Sequence, residues 1–199
     1  MNEELLNWIS TSGRLLGALF YYPPHDEKVR SILALFQQEN WWESWRNVRN
    51  PEKLTALLRQ TKQLNEEYQA LFIGPHALPA PPWGSVYLDP EAVIFGNSLL
   101  KLREFLQTNA IEFQKTQDEP EDHMGLMLML AAYLAENRPE LLKAFLQDHL
   151  LTWAKRYLHL LSEQSLSPFY QGLAELTQDT LQNWQDEALL IVPKVQFYR

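Results

Sequence analysis

Cysteine is absent from the 199-residue chain. That excludes disulfides, thiolate metal sites and a cysteine nucleophile. Glycine is scarce, with seven residues scattered singly. No glycine-rich loop precedes a lysine to cradle a phosphate, and no Gly-x-Ser-x-Gly elbow marks an activated serine. Basic residues are outnumbered 17 to 25, giving a net charge of −8. Binding to nucleic acid rests on lysine and arginine set against phosphates, so nucleic acid is not an expected partner. An acidic surface attracts cationic ligands instead. The longest uncharged apolar run, Met124 to Ala135, is too short to span a bilayer. The start, Met1-Asn2-Glu3-Glu4, lacks the basic and apolar regions of a secretory signal. A cytoplasmic location is expected. Strict alternation of apolar and polar residues and Asn-Gly turns are both missing, which argues against sheet. No fixed-period repeat is present.

Helical periodicity is abundant. Leu5, Ile9, Leu16 and Phe20 predict a helix over Asn2–Tyr21, stopped by Pro23-Pro24. Val29, Ile32, Leu33 and Phe36 predict a second over Asp26–Gln38, and Trp41, Trp42 and Trp45 read as core aromatics. Pro51 opens a third helix that the pattern carries to Phe72. Another is expected over Gly96–Thr108, then an irregular connection over Ile111–Gln117 with Ile111 and Phe113 buried. Asp118 and Glu121 have the spacing of a capping box and predict a central helix to Glu136. Its stretch from Met124 to Ala135 is apolar all round and should be buried. Pro139 to Leu161 continues helical with a bend near His149, and Pro168 opens the last long helix, which Pro193 should end. With 46% hydrophobic residues and no evident linker, the expectation is one all-α domain over residues 1–199. It would be a helical bundle of roughly eight to ten helices, with one long proline-rich loop.

Two stretches depart from a plain bundle. One is the loop after Tyr68, Leu71 and Phe72, which carries Pro75, Pro79, Pro81, Pro82, Trp83, Ser85 and Tyr87. Its prolines make it stiff, and a long loop with its own apolar side chains either carries function or only covers the core. The other is Glu119-Pro120-Glu121-Asp122-His123. Its carboxylates suit the positive end of a helix dipole, but an imidazole directly before an apolar helix is unexplained by that. Asp122 and His123 could serve a small acid/base or metal-dependent hydrolase. Adjacent helical positions diverge by about 100°, however, and no His-Glu-x-x-His spacing exists. No cofactor is called for. If the two stretches face each other, they form a groove with apolar walls and a negative rim at Glu121 and Asp122. Such a groove suits an arginine-bearing peptide with an apolar segment.

These motifs resemble the TorD/DmsD family of chaperones for molybdenum-containing oxidoreductases. The resemblance is carried by Tyr68-x-x-Leu71-Phe72-x-Gly74-Pro75, by Pro81-Pro82-Trp83-Gly84-Ser85-Val86-Tyr87, and by Glu119-Pro120-Glu121-Asp122-His123. Arg14 to Tyr22 and Pro168-Phe169-Tyr170 fit as well. The resemblance implies an all-helical fold, no catalysis, and binding of the twin-arginine signal peptide of a molybdopterin-dependent reductase, dimethyl sulfoxide reductase for the DmsD branch. The partner would be held from export until its cofactor is inserted. Contact with the twin-arginine translocase at the inner membrane is also implied. A monomer is expected, with a domain-swapped dimer as the alternative, since such dimers occur among relatives. Peptide-binding residues implied by the resemblance are Tyr68, Leu71, Phe72, Pro82, Trp83, Asp122 and His123, to which Ser85, Tyr87 and Glu121 are added by position. Tyr68 and Tyr87 stand where tryptophan is expected in close relatives. His123 would either orient the loop or contact the peptide. Guanine-nucleotide binding, suggested for the family, finds no phosphate loop here.

Overall fold

A computed structural model describes residues 1–112 and 118–199. Helices account for the regular structure, and among the described residues there is no strand, only one isolated β-bridge. Helix α1 (Glu3–Tyr21) starts where the Asn2 side chain accepts the Leu5 N–H at 2.8 Å, and it stops before Pro23 as expected. Helix α2 (Glu27–Gln37) is capped by Asp26 and buries Val29, Ile32 and Phe36. A single 3₁₀ turn (Trp41–Ser44) follows, and Trp41 meets Phe36 edge to face at 5.0 Å. The tryptophan cluster is core, as its composition suggests.

The third helix is shorter than the pattern predicts. It divides into α3 (Pro51–Leu58) and α4 (Leu64–Tyr68), the latter running into a π-helical turn at Gln69–Ile73. The break falls at Arg59. Its guanidinium donates to the carbonyls of Phe36, Gln37 and Gln38 at the end of α2, and these otherwise open acceptors fix the chain there. The loop then contains a one-turn helix, α5 (Ser85–Leu88), before α6 (Asn97–Thr108). Ile111 is buried as expected, while Phe113 and the rest of that connection to Gln117 lie outside the described residues.

The central helix α7 runs Met124–Asn137 and is buried along most of its length, but Tyr133 within the apolar run is exposed, as are Glu136 and Asn137 at its end. It begins later than the capping-box reading gave: Asp118 is exposed and non-helical, and the cap is His123. Two glycines set its packing on α1. A Cβ on Gly125 would lie 2.7 Å from the Gly17 carbonyl oxygen, and one on Gly17 would lie 2.8 Å from that of Gly125. The two helices therefore touch backbone to backbone, closer than any side chain allows.

Helix α8 (Pro139–Phe145) joins α9 (Leu151–Ser162) through a π turn at Leu146–Leu150, which is the bend expected near His149. Such a turn inserts a residue into the ladder and redirects the helix. Helix α10 (Pro168–Glu187) spans the molecule and receives indole hydrogen bonds from Trp8 and Trp45. It ends before Pro193 is reached. Leu189 takes φ of 50°, Leu190 donates back to the Gln185 carbonyl, and Leu190 is buried. This left-handed termination needs no proline. From there the chain runs without regular structure across α9.

Candidate functional site

The proline loop and the start of α7 are joined by a short antiparallel pairing. Trp83 and His123 form the bridge, the Met124 N–H donates to the Pro82 carbonyl at 2.8 Å, and the Gly84 N–H donates to the Asp122 carbonyl at 3.1 Å. The Asp122 carboxylate then accepts the Ser85 N–H at 2.7 Å, at the first turn of α5. The stiff loop and the acidic helix start, 39 positions apart between Trp83 and Asp122 by numbering, are thus neighbours in space.

Their electrostatics differ from an open acidic rim. Asp122 is 3% exposed. Burial pushes its carboxyl above the ordinary range, while the Ser85 hydrogen bond pulls it back. The Ser85 hydroxyl is close enough to favour the ionised carboxylate, but it is not aligned as a hydrogen-bond donor to it. Glu121 is also mostly covered, and Arg103 Nε donates to its carboxylate at 2.8 Å. The expected negative rim is therefore absent in this conformation, because one carboxylate fastens the loop and the other holds an arginine of α6.

His123 pairs with Trp83 of the loop through its backbone, while its side chain caps its own helix. Its Nδ1 accepts the Gly125 N–H at 3.1 Å and so caps α7. The ring is boxed by Tyr21 at 5.6 Å and Trp83 at 6.2 Å. Burial pushes the imidazole down to about 3, which keeps it neutral and able to accept. A cap that must accept an N–H is poorly suited to take up a proton from a substrate.

The aromatic residues before the loop lie inward of this junction. Tyr68 stacks on Phe72 at 5.1 Å, and its hydroxyl donates to the Tyr21 carbonyl at 2.9 Å. Tyr21 in turn touches His123, so Tyr68 and Phe72 reach the site through it. Leu71, Phe72, Pro82 and Tyr87 are buried, so they support the site from within and offer little open wall. Tyr87 stacks on Trp153 at 5.8 Å and donates to the Pro81 carbonyl. Gly84 is required above that indole, because a Cβ would lie 2.8 Å from it. Trp83 alone among the expected aromatics stays partly exposed. A cavity of about 310 Å³ opens beside the junction, lined among others by Gly84, Asp89, Asp122, Asp148, Trp153 and Tyr198.

Tyr21, Arg103 and Trp153 were not singled out from sequence. Trp153 and Tyr157 have i, i+4 spacing, but that signal reads only as a buried face. Among the described residues, no group of three His, Asp or Glu side chains is placed to hold a metal.

Residues 39–159 match the nitrate reductase delta subunit family. Across 99% of this chain and the full length of the relative, 58% of residues are identical to the "Probable Tat proofreading chaperone DmsD" of Haemophilus influenzae. The chain belongs to the TorD/DmsD family of chaperones. The Tat proofreading chaperone DmsD of Salmonella typhi is 42% identical over 92% of this chain and 91% of its own. A crystal structure from Archaeoglobus fulgidus, assigned to redox enzyme maturation, has a TM-score of 0.57. It covers 85% of this chain and 93% of its own at 23% identity, and it supports the fold alone. These relatives are chaperones, not enzymes, which sets aside the hydrolase reading of Asp122 and His123. The fold is the all-helical one that the TorD/DmsD resemblance implies. Among the described residues, no helix is long and apolar enough to cross a membrane.

Proposed function

We propose that this chain binds the twin-arginine signal peptide of a molybdopterin-dependent reductase, dimethyl sulfoxide reductase in the first instance. It holds that subunit in the cytoplasm until the cofactor is inserted, then presents it to the translocase at the inner membrane. The observation that carries the reading is the state of the Trp83–Asp122 junction. Trp83 Nε1 and Asp122 Oδ1 are buried there with no hydrogen-bond partner among the described residues. Buried polar atoms left in this way each cost about 1–3 kcal/mol, and in native proteins they call for an explanation. A peptide supplies what both lack: a backbone carbonyl for the indole N–H and a guanidinium N–H for the carboxylate. Asp89, Asp122 and Asp148 line the adjoining cavity against one cation, Lys101, so acidic side chains predominate there. Tyr68, Leu71, Phe72, Ser85 and Tyr87 hold this surface in place, Glu121 anchors Arg103 of α6 beside it, and His123 keeps the helix start capped.

Calorimetric titration with the leader of the candidate reductase tests this reading. Binding near one-to-one is expected, weakened by salt and by alanine at both leader arginines. A leader without arginines that bound as tightly as the native one would refute the role given to the carboxylates. Asp122→Asn, which keeps an acceptor for Ser85 but removes the charge, is expected to weaken the leader and not the fold.

A further inference from the structure

The segment after α10 lies on the same surface. Beyond Leu190 the chain crosses α9 and reaches the proline loop. The Tyr198 N–H donates to the Tyr87 carbonyl at 3.0 Å. The Arg199 guanidinium donates to the Leu78 carbonyl at 2.7 Å and to that of Pro79 at 3.3 Å. Arg156 Nε donates to the Arg199 carbonyl at 2.9 Å. Val195, Gln196 and Tyr198 form one wall of the 310 Å³ cavity whose other wall holds Gly84 and Asp122. An irregular, largely apolar stretch, with Arg199 held by loop carbonyls, is thus seated beside the junction.

Its seating is shallow. Ile191 is 82% exposed and Phe197 and Tyr198 are 41% exposed each. A cleft of about 630 Å³ remains between this segment and α9, lined by Leu151, Lys155, Arg156, Val195 and Phe197. Hydrogen bonds at the surface hold the segment more than buried area does, and such attachments open easily.

We propose that Val195–Arg199 is an internal peptide ligand, which occupies the loop face of the site and is displaced by an arginine-bearing extended peptide. Arg199 stands in for a guanidinium of the incoming chain, and the Tyr198 backbone stands in for its extended strand. The partner is then an extended apolar peptide bearing arginine, and it competes with the tail for the Leu78, Pro79 and Tyr87 carbonyls. This inference rests on the peptide-binding reading above only for the identity of the competitor.

Two full-length variants test it. Arg199→Ala removes the guanidinium, and Tyr198→Pro removes the donor to Tyr87. Each is expected to tighten leader binding roughly threefold or more, because a competing internal state is weakened. A synthetic peptide of the Val192–Arg199 sequence is expected to bind the Tyr198→Pro chain and to bind the parent chain more weakly by the same factor as the leader does. Exchange of the Tyr198 amide in the parent should accelerate when leader saturates the protein. Unchanged or weaker leader binding in both variants overturns the inference, as does a Tyr198 amide that stays protected with leader bound. Failure of any leader to bind any variant refutes the peptide-binding reading instead, while the added tail peptide still reports on the inference by itself.

Discussion

Two largely irregular segments cross this helical bundle, and they are held in opposite ways. The proline loop from Leu78 to Asp89 is fastened by backbone pairing with residues 122–124, by the buried Asp122 carboxylate and by Tyr87 stacked on Trp153. The tail from Leu190 to Arg199 lies over α9 and is tied by a few exposed hydrogen bonds. Both carry prolines and aromatics, so composition does not separate them. Burial does. The loop belongs to the core and presents a fixed surface. The tail rests on that surface and is held at its edge. On the proposed reading, recognition is built from a rigid half and an exchangeable half.

The largest effect should come from removing what the loop stands on. Trp153→Ala leaves Tyr87 without its stacking partner and opens a cavity under Gly84; unfolding in urea should show a loss of about 3–5 kcal/mol. A loss under about 1 kcal/mol would mean that the loop does not depend on α9. Next comes the fastener itself. Asp122→Ala abandons the Ser85 N–H and should cost about 2 kcal/mol by the same measurement. Equal stability would put the loop's anchorage elsewhere.

Acid gives a third test of the fixed half. The His123 ring titrates at about 3 in the folded chain and near 6.5 when unfolded. Between those values the unfolded chain holds a proton that the folded chain does not. Stability should therefore fall as pH drops through that window, by about 1.4 kcal/mol per pH unit, and should be unaffected by this ring above it. Asp122 acts with the opposite sign over the carboxylate range, because its raised carboxyl lets the folded chain keep the extra proton. His123→Asn retains a capping acceptor and should flatten the slope between pH 4 and 6, as followed by thermal melts at stepped pH. An unchanged slope would show that another group sets acid lability. The smallest effect belongs to the tail. Arg199→Ala should shift stability by no more than about 1 kcal/mol, the free energy that matches the expected gain in leader binding. A larger loss would make the tail part of the fold and erase the contrast between the two segments.

Much of this was legible from residue patterns. The apolar run Met124–Ala135 announced a buried central helix, and prolines 23, 51, 139 and 168 marked boundaries that the structure keeps. The pairing of Trp83 with the Asp122–His123 step was legible through family likeness only, since no local signal links residues so far apart. Three readings failed for tertiary reasons. The helix from Pro51 was broken by Arg59 capping another helix. The Asp118–Glu121 box lost to an imidazole cap, because the chain there pairs with the loop instead of coiling. The negative rim failed because charge alone does not reveal which carboxylates are spent on internal donors. The tail's position on the loop had no sequence signature at all, being decided by where α10 ends.

The glycine contact between α1 and α7 carries a consequence for redesign. Gly125 stands two positions beyond His123, so the place where the loop docks is measured from the axis of the opening helix. A graft of the Trp83 loop and its acidic partner into another helical scaffold would misplace one against the other unless the recipient also brought two helix axes equally close. The transplantable unit is the loop together with that pair of helices.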